Sequence, residues 1–152
     1  MCEKSQYWVV HEKTCLSLKD LLNKMDTMVK IIAVFVGGGI GSVLRFWVSY
    51  LSKKTCLIPF LGTFVVNIVG CFFIGYLFAH ILYKGTFHPA LRMFLMTGLL
   101  GGLTTFSTFN LEVFELIKTG KILTGITYMI LSCAVGLLFT CAGYYLFTKV
   151  QM

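Results

Sequence analysis

Three long stretches of this sequence contain no Asp, Glu, Lys or Arg, and they limit the chain to very few folds. These stretches, residues 55–83, 93–111 and 122–148, are 29, 19 and 27 residues long. A fourth apolar stretch, residues 31–51, has a single charged side chain, that of Arg45. Because a helix needs about 20 mainly apolar residues to cross a bilayer, each stretch is long enough to span a membrane.

The overall composition excludes the other common classes of protein. Hydrophobic residues make up 57% of the chain and charged residues 12%, whereas a soluble domain has about 45–50% and about 25%. These values exclude a soluble fold, a disordered chain and a small disulfide-stapled module. In a membrane protein, Lys and Arg mostly mark loops and orientation, so the net charge of +7 predicts no nucleic-acid partner.

The chain is therefore expected to be an all-α membrane protein with four transmembrane helices. Short segments that contain charges and helix breakers separate the apolar stretches, as expected of loops. The predicted membrane domain is residues 28–152, and its helices lie at about 30–51, 60–82, 91–117 and 122–147.

Residues 1–27 form a polar N-terminal extension in front of this domain. Ser17 and Asp20 resemble a capping box at a helix start. Apolar residues follow at helical spacing, namely Leu18, Leu21, Leu22 and Met25. This spacing predicts a short amphipathic helix before the first span.

The third apolar stretch has an unusual sequence in its middle. Gly98, Gly101 and Gly102 are followed by a cluster of hydroxyl side chains, those of Thr104, Thr105, Ser107 and Thr108. Such a sequence makes a poor continuous helix. Irregular backbone is tolerated at membrane depth only where it is buried in protein or lines a cavity, and its free carbonyls often hold an ion. We therefore expect a broken third helix at a functional site.

Asn67 lies near the middle of the second stretch, where lipid would penalise an unpaired amide. Thr63, Asn67 and Cys71 are four residues apart, so they share one narrow face of small or polar side chains. Two interpretations remain open from these residues alone. The amide either lines a functional path or bonds a neighbouring helix and fixes the packing.

Polar residues also recur at helical spacing in the third and fourth spans. Thr105, Thr108 and Glu112 form a stripe after the predicted break. The fourth span carries a track at steps of four, namely Tyr128, Ser132, Gly136 and Thr140. Phe106 and Phe109 lie side by side on a neighbouring face, although such aromatic pairs more often serve packing. Because most of the polar groups are donors and few are charged, they are typical of a narrow path for a small anion.

Three motifs, in order along the chain, match one known family. Gly37–Phe46 reads GGGIGSVLRF, Gly62–Asn67 reads GTFVVN, and Gly101–Phe109 reads GGLTTFSTF. From about Met28 to its C-terminus, the chain resembles the Fluc (CrcB) family of fluoride channels. The resemblance implies an antiparallel, dual-topology homodimer with two pores in the cell membrane. Such a channel exports cytoplasmic fluoride passively down its electrochemical gradient and so lowers fluoride toxicity.

The resemblance also implies roles for particular residues. By motif position, the fluoride path would be lined by Asn67, Phe106, Ser107, Thr108, Phe109, Glu112, Tyr128, Ser132 and Thr140. Arg45 matches an arginine of the family's first helix and is expected at a pore vestibule. A central structural sodium ion is expected on the backbone carbonyls of Gly101 and Thr104 from both subunits. Gly136 stands where the family usually has a hydroxyl.

Two other functions fit a small four-helix membrane protein. A small multidrug-type transporter needs a buried carboxylate in its first helix for proton coupling, and residues 30–51 contain no Asp or Glu. A non-conducting subunit of a larger membrane assembly is the second alternative, and it predicts no ion flux from purified protein. An enzyme fits least, because the sequence shows no nucleophile–base pair or metal-ligand cluster.

The distribution of basic residues favours neither orientation of the membrane domain. Four spans put both termini on one side, called here the terminal side, which carries Lys30, Lys84, Arg92 and Lys149. The opposite side carries Lys53, Lys54, Lys118 and Lys121, with Arg45 near its edge. Such a balance is what insertion in both orientations requires. The extension adds Lys4, Lys13, Lys19 and Lys24 to the terminal side, which should bias that side to the cytoplasm.

Overall fold

The computed structural model describes the backbone of residues 3–55, 60–85 and 87–151, and side chains from residue 23 to residue 150 within these ranges. Every regular element in these ranges is helical. The elements are α1 (Glu3–Thr55), α2 (Leu61–Lys84), α3 (Pro89–Arg92), a π-helical segment (Met93–Leu100), α4 (Gly101–Leu103), α5 (Phe106–Lys118) and α6 (Ile122–Gln151).

Four helical stretches of the described chain are long and apolar enough to cross a membrane. They are Asn23–Thr55, Leu61–Lys84, Pro89–Lys118 and Ile122–Val150. This confirms the predicted all-α fold with four spans. The helix α1 continues without interruption from the N-terminal extension into the first span. The amphipathic face predicted around Ser17 and Leu21 lies outside the described side chains.

The third span is broken, as the glycine and hydroxyl sequence predicted. It begins as α3, widens into the π-helical segment, and returns to α-helical geometry only for the three residues of α4. The next two residues are extended. Thr104 has φ −80° and ψ 154°, and Thr105 has φ −149° and ψ 121°. The helix resumes at Phe106. Two extended residues therefore separate the two halves of this span.

Glycines let α1 approach the first half of the third span closely. A Cβ on Gly37 would collide with the carbonyl of Phe94, and one on Gly41 with the carbonyl of Leu99. On the facing side, a Cβ on Gly102 would lie 2.5 Å from the carbonyl oxygen of Gly38. Such small residues at four-residue spacing allow membrane helices to touch backbone to backbone. Consequently the next turn of α1 lies beside the helix break.

A second close contact joins α2 to α6. A Cβ on Gly75 would collide with the carbonyl of Thr140, and one on Gly143 with the carbonyl of Phe72. Another face of α2 meets the break, since a Cβ on Gly70 would collide with the side chain of Thr104. The glycine contacts thus bring α1 and α2 to Thr104 and hold α6 against α2.

One cluster of buried hydrophobic residues lies beside the second half of the third span. It consists of Phe109, Val113 and Tyr128, against which Phe60, Phe64 and Leu116 pack. Most of the remaining surface is apolar, with Phe35 81% exposed and Leu123 79% exposed. Such a surface requires lipid or another apolar surface around it.

Candidate ion path at the broken third span

Asn67 pairs with the backbone at the break. Its Oδ1 accepts a hydrogen bond of 2.8 Å from the backbone N–H of Thr105. Its Nδ2 donates one of 3.1 Å to the Thr105 carbonyl. Because Thr105 is extended, its N–H has lost the partner that a continuous helix would give it, and the amide replaces that partner and also bonds the carbonyl. One of the two N–H donors of the amide remains for another acceptor.

The side chain of Thr105 starts the second half of the span. Its Oγ1 accepts a hydrogen bond of 3.3 Å from the backbone N–H of Thr108 and donates one of 3.0 Å to the Thr108 hydroxyl. A threonine in this position caps a helix N-terminus, where the first N–H groups have no helical partner. The residue is buried. Thr105 therefore ends one helical half through its backbone and begins the next through its hydroxyl.

The carbonyls at the end of α4 face the break. Thr104 still donates to Leu100 O, through its backbone N–H at 3.0 Å and its hydroxyl at 2.9 Å. Its own carbonyl accepts a long hydrogen bond of 3.4 Å from Nη1 of Arg45. A cation at the C-terminal end of a helix is favoured because the last carbonyls carry partial negative charge. The guanidinium of Arg45 thus reaches the break from α1.

A cavity of about 380 Å³ lies beside the break. Six of the residues predicted for the path or the sodium ion line it, namely Asn67, Gly101, Thr104, Phe106, Phe109 and Ser132. The remaining lining is mostly apolar and includes two thiols, those of Cys71 and Cys133. The second, third and fourth spans therefore converge on one cavity with a few polar groups, as is usual for the binding site of a small ligand.

Aromatic rings run from this cavity towards the opposite side of the membrane. Phe106 is 77% exposed and Phe109 is 5% exposed, and their ring centroids are 6.1 Å apart. The centroids of Phe109 and Tyr128 are 5.1 Å apart, with the rings at 68° to each other. The ring centroids of Phe60 and Tyr128 are 4.5 Å apart, with the rings tilted by 33°. The buried Phe109 thus contacts both the cavity and the ring of Tyr128.

Glu112 joins three helices beyond Phe109. Its Oε1 accepts a hydrogen bond of 2.6 Å from the hydroxyl of Thr63 on α2. Its Oε2 accepts one of 3.0 Å from the hydroxyl of Tyr128 on α6. Hydrogen bonds from hydroxyls to an ionised carboxylate are stronger than those between neutral groups. The carboxylate therefore fixes the orientation of both hydroxyls.

The other predicted hydroxyls have different surroundings. The Ser132 oxygen is buried and has no hydrogen-bond partner among the described residues. The Thr140 hydroxyl bonds back to the Gly136 carbonyl at 3.0 Å and faces a separate cavity towards the terminal side. Ser107 and Thr108 are exposed on α5. The structure thus brings Ser132 to the central cavity and leaves the other three outside it.

Sequence reasoning missed two residues that hold the site together. Thr63 shares a helix face with Asn67, but its partner Glu112 is 49 residues away. Thr105 stood in the predicted polar stripe, yet its backbone is what Asn67 binds. The spacing within one helix indicated both residues, whereas their partners on other helices left no signal in the sequence.

Comparison with known proteins agrees with this architecture. The family model described as "CrcB-like protein, Camphor Resistance (CrcB)" matches residues 32–144. This chain belongs to the CrcB family. A relative from Aquifex aeolicus, named fluoride-specific ion channel FluC, is 45% identical over 76% of this chain and 94% of its own length. A relative of the same name from Desulfotalea psychrophila is 43% identical over 82% of this chain and 97% of its own length.

Family membership and the four spans identify a multi-pass membrane protein. The matched region includes part or all of each of the four spans, together with the break, Asn67 and Glu112. A third relative, from Azobacteroides pseudotrichonymphae, carries the same name and is 43% identical over 77% of this chain and 94% of its own length.

Substitution of Asn67 should reduce stability more than the same change at another asparagine. Asn67→Ala removes the hydrogen bonds of the amide to the N–H and the carbonyl of Thr105. Each buried polar group left unpaired lowers the free energy of unfolding by roughly 1–3 kcal/mol. Asn110→Ala is the matched control, because its amide bonds only to Phe106 O on its own helix. We expect thermal unfolding in detergent to show a much larger loss for Asn67→Ala. Equal losses for the two variants would mean that the Asn67 amide does not hold the break.

Proposed function

We propose that this chain is a fluoride-selective channel, not an enzyme, that lets cytoplasmic fluoride leave passively down its electrochemical gradient. The observation that carries the proposal is the cavity at the break, where Asn67, Ser132 and two phenylalanines meet. The relatives named fluoride-specific ion channel support fluoride as the ion. Export of this ion would lower its toxicity to the cell.

The polar groups of the cavity suit a small anion that has lost its water. Fluoride is tightly hydrated, so close donors must replace the water that it leaves behind. Asn67 has one N–H not used at the break, and the Ser132 hydroxyl has no partner among the described residues. Both are donors that line the same cavity. As neutral donors they would bind the ion weakly enough for it to leave again, as conduction requires.

The phenylalanines would supply a second kind of contact. The edge of an aromatic ring is positively polarised and can face an anion. Phe106 and Phe109 both line the cavity, and the ring of Phe109 contacts the ring of Tyr128. An ion that passes Phe109 would therefore meet Tyr128 and Glu112 next. Ser107, Thr108 and Thr140 would extend the path on either side.

Fluoride efflux from liposomes that contain the purified protein tests this function, with chloride efflux as the control for selectivity. We expect fast fluoride efflux and little chloride efflux. Phe109→Ile should slow fluoride efflux at least roughly tenfold because the ring edge is lost, and Phe109→Met should slow it less because sulfur is polarizable. Phe114→Ile, on the exposed face of α5, is the matched control. Wild-type efflux from the Phe109→Ile variant would exclude the role of the ring edge.

We propose that the working unit is an antiparallel homodimer. Ser107 and Asn110 are exposed on one face of α5, inside a membrane span. Polar side chains at this depth almost always face protein or a water-filled cavity. A second copy that covers this face would remove them from lipid and complete the surroundings of the 77% exposed Phe106.

A structural sodium ion would fit the end of α4. Among the described residues no three His, Cys, Asp or Glu side chains could hold a metal ion, so a cation there would rely on backbone oxygens. The break leaves the carbonyls of Gly101 and Thr104 without the partner of a continuous helix. Hard oxygen donors with partial negative charge suit a small cation. The ion would add a fixed positive charge near the anion path, held by these carbonyls from both copies.

Removal of sodium should weaken the dimer. Because the carbonyls belong to the backbone, the test replaces sodium by N-methylglucamine on both sides instead of changing a residue. We expect a lower thermal unfolding temperature, a larger monomer fraction in detergent and slower fluoride efflux. Unchanged stability in N-methylglucamine would exclude the ion, and a flux direction that follows the sodium gradient would indicate cotransport instead.

An antiparallel dimer requires insertion into the cell membrane in both orientations. Four basic residues lie on the terminal side of the membrane domain and four lie on the opposite side. The positive-inside rule therefore selects neither orientation. The N-terminal extension adds four lysines to the terminal side. We propose that translation from Met28 yields the working channel, or that the extension lies too far from the span to orient it.

A reactive tag after Met152 tests this topology. Its accessibility is measured from each face of the membrane, in the full chain and in a chain that starts at Met28. We expect labelling from both faces in the chain from Met28, because its charges are balanced. If labelling of that chain is one-sided, the antiparallel arrangement is wrong. Two-sided labelling of both chains would mean that residues 1–27 do not affect orientation.

A further inference from the structure

Besides the central cavity and the one at Thr140, a cavity of about 270 Å³ lies on the side of the membrane opposite the termini; it is called here the second cavity. Its lining comes from the end of α1, the start of α2, the second half of the third span and the turn that follows it. The lining residues are Lys53, Phe60, Glu112, Glu115, Leu116 and Thr119. These elements all end or begin at this membrane face, so the cavity lies at the surface of the membrane domain.

The inner wall of this cavity belongs to the path already described. Glu112 lines the cavity and accepts hydrogen bonds from Thr63 and Tyr128. Phe60 lines it too, and its ring lies 4.5 Å from that of Tyr128. Phe109 also contacts the ring of Tyr128, and it lines the central cavity. An ion that leaves the central cavity past Phe109 and Glu112 would therefore enter this second cavity.

The charges of the second cavity present an obstacle to an anion. Its described lining includes two carboxylates, those of Glu112 and Glu115, and one ammonium, that of Lys53. Lys53 and Glu112 are close enough to interact electrostatically. In the described part of the chain the one ion pair joins Lys30 to Asp26, so the Lys53 ammonium forms no close ion pair with a carboxylate there. Without that ammonium, an entering anion would meet negative charge only.

We infer that Lys53 is the cation that admits and releases the anion at this end of the path. The inference rests on the proposed function and deepens it. A cleft with low-dielectric walls concentrates the field of a charge inside it, which raises the local concentration of the opposite ion. Arg45, the residue predicted for a vestibule, instead contacts the Thr104 carbonyl at the break. The charge at the cavity entrance is therefore that of Lys53.

If Lys53 only stabilised its helix or oriented the protein, substitution of Lys53 and of Lys54 should slow efflux equally. Lys53 and Lys54 both lie in the last turn of α1, where either charge stabilises the helix C-terminus. Both side chains are exposed and both contribute to membrane orientation. Only Lys53 lines the cavity with Glu112. Lys54 is therefore a matched control, identical in charge, helix turn and exposure.

The experiment measures fluoride efflux from liposomes for the wild type, Lys53→Gln, Lys53→Arg and Lys54→Gln. At low ionic strength, Lys53→Gln should slow efflux roughly 10-fold, the lower end of the range that electrostatic focusing produces. Lys53→Arg keeps the charge and should restore efflux to within about twofold of the wild type. In about 1 M impermeant salt the Debye length is only ~3 Å, so the difference between Lys53→Gln and the wild type should shrink.

The outcomes separate this inference from the proposed function. Wild-type protein that does not conduct fluoride would refute both. Wild-type conduction with equal effects of Lys53→Gln and Lys54→Gln would overturn only the role of Lys53. Slow efflux from Lys53→Arg would also overturn it, and so would a defect of Lys53→Gln that salt does not reduce. Either result would mean that the positive charge at residue 53 does not attract the anion.

Discussion

A helix that is interrupted inside a membrane must find partners for every backbone group that the interruption frees, since lipid offers none. Here one amide meets that demand for Thr105, because Asn67 binds both its N–H and its carbonyl. The side chain of Thr105 then caps the helix that follows. Without this pairing, the two halves of the third span could not end and restart within two residues. The cavity beside the break depends on the same pairing.

The glycine contacts determine where that amide can lie. Gly37 and Gly41 bring α1 against the first half of the third span, while Gly75 and Gly143 bring α6 against α2. Membrane helices gain little from hydrophobic burial against one another, so close backbone contact is what orders them. As a result, Asn67 on α2 faces the break. The same arrangement brings Glu112 within hydrogen-bond distance of α2 and α6.

The sequence predicted the spans and the break well, because both depend on local properties. Charge-free length predicts a membrane helix, and the glycine and hydroxyl cluster predicted a break, which the structure has at the extended residues Thr104 and Thr105. The sequence did not predict the hydrogen-bond partners of the polar groups, since partners such as Asn67 and Thr105 are 38 residues apart. Arg45 illustrates the same limit, because its contact with Thr104 spans 59 residues. Helix periodicity identifies a face and leaves open which helix it meets.

The most direct test of this account measures hydrogen exchange at the Thr105 amide together with fluoride efflux, across substitutions of Asn67. The account predicts that the wild type exchanges slowest and conducts fastest. Asn67→Asp, which keeps an acceptor for the Thr105 N–H, should be intermediate, and Asn67→Ala should exchange fast and conduct least. A variant whose Thr105 amide exchanges freely while fluoride efflux stays at the wild-type rate would contradict the claim that this pairing builds the path.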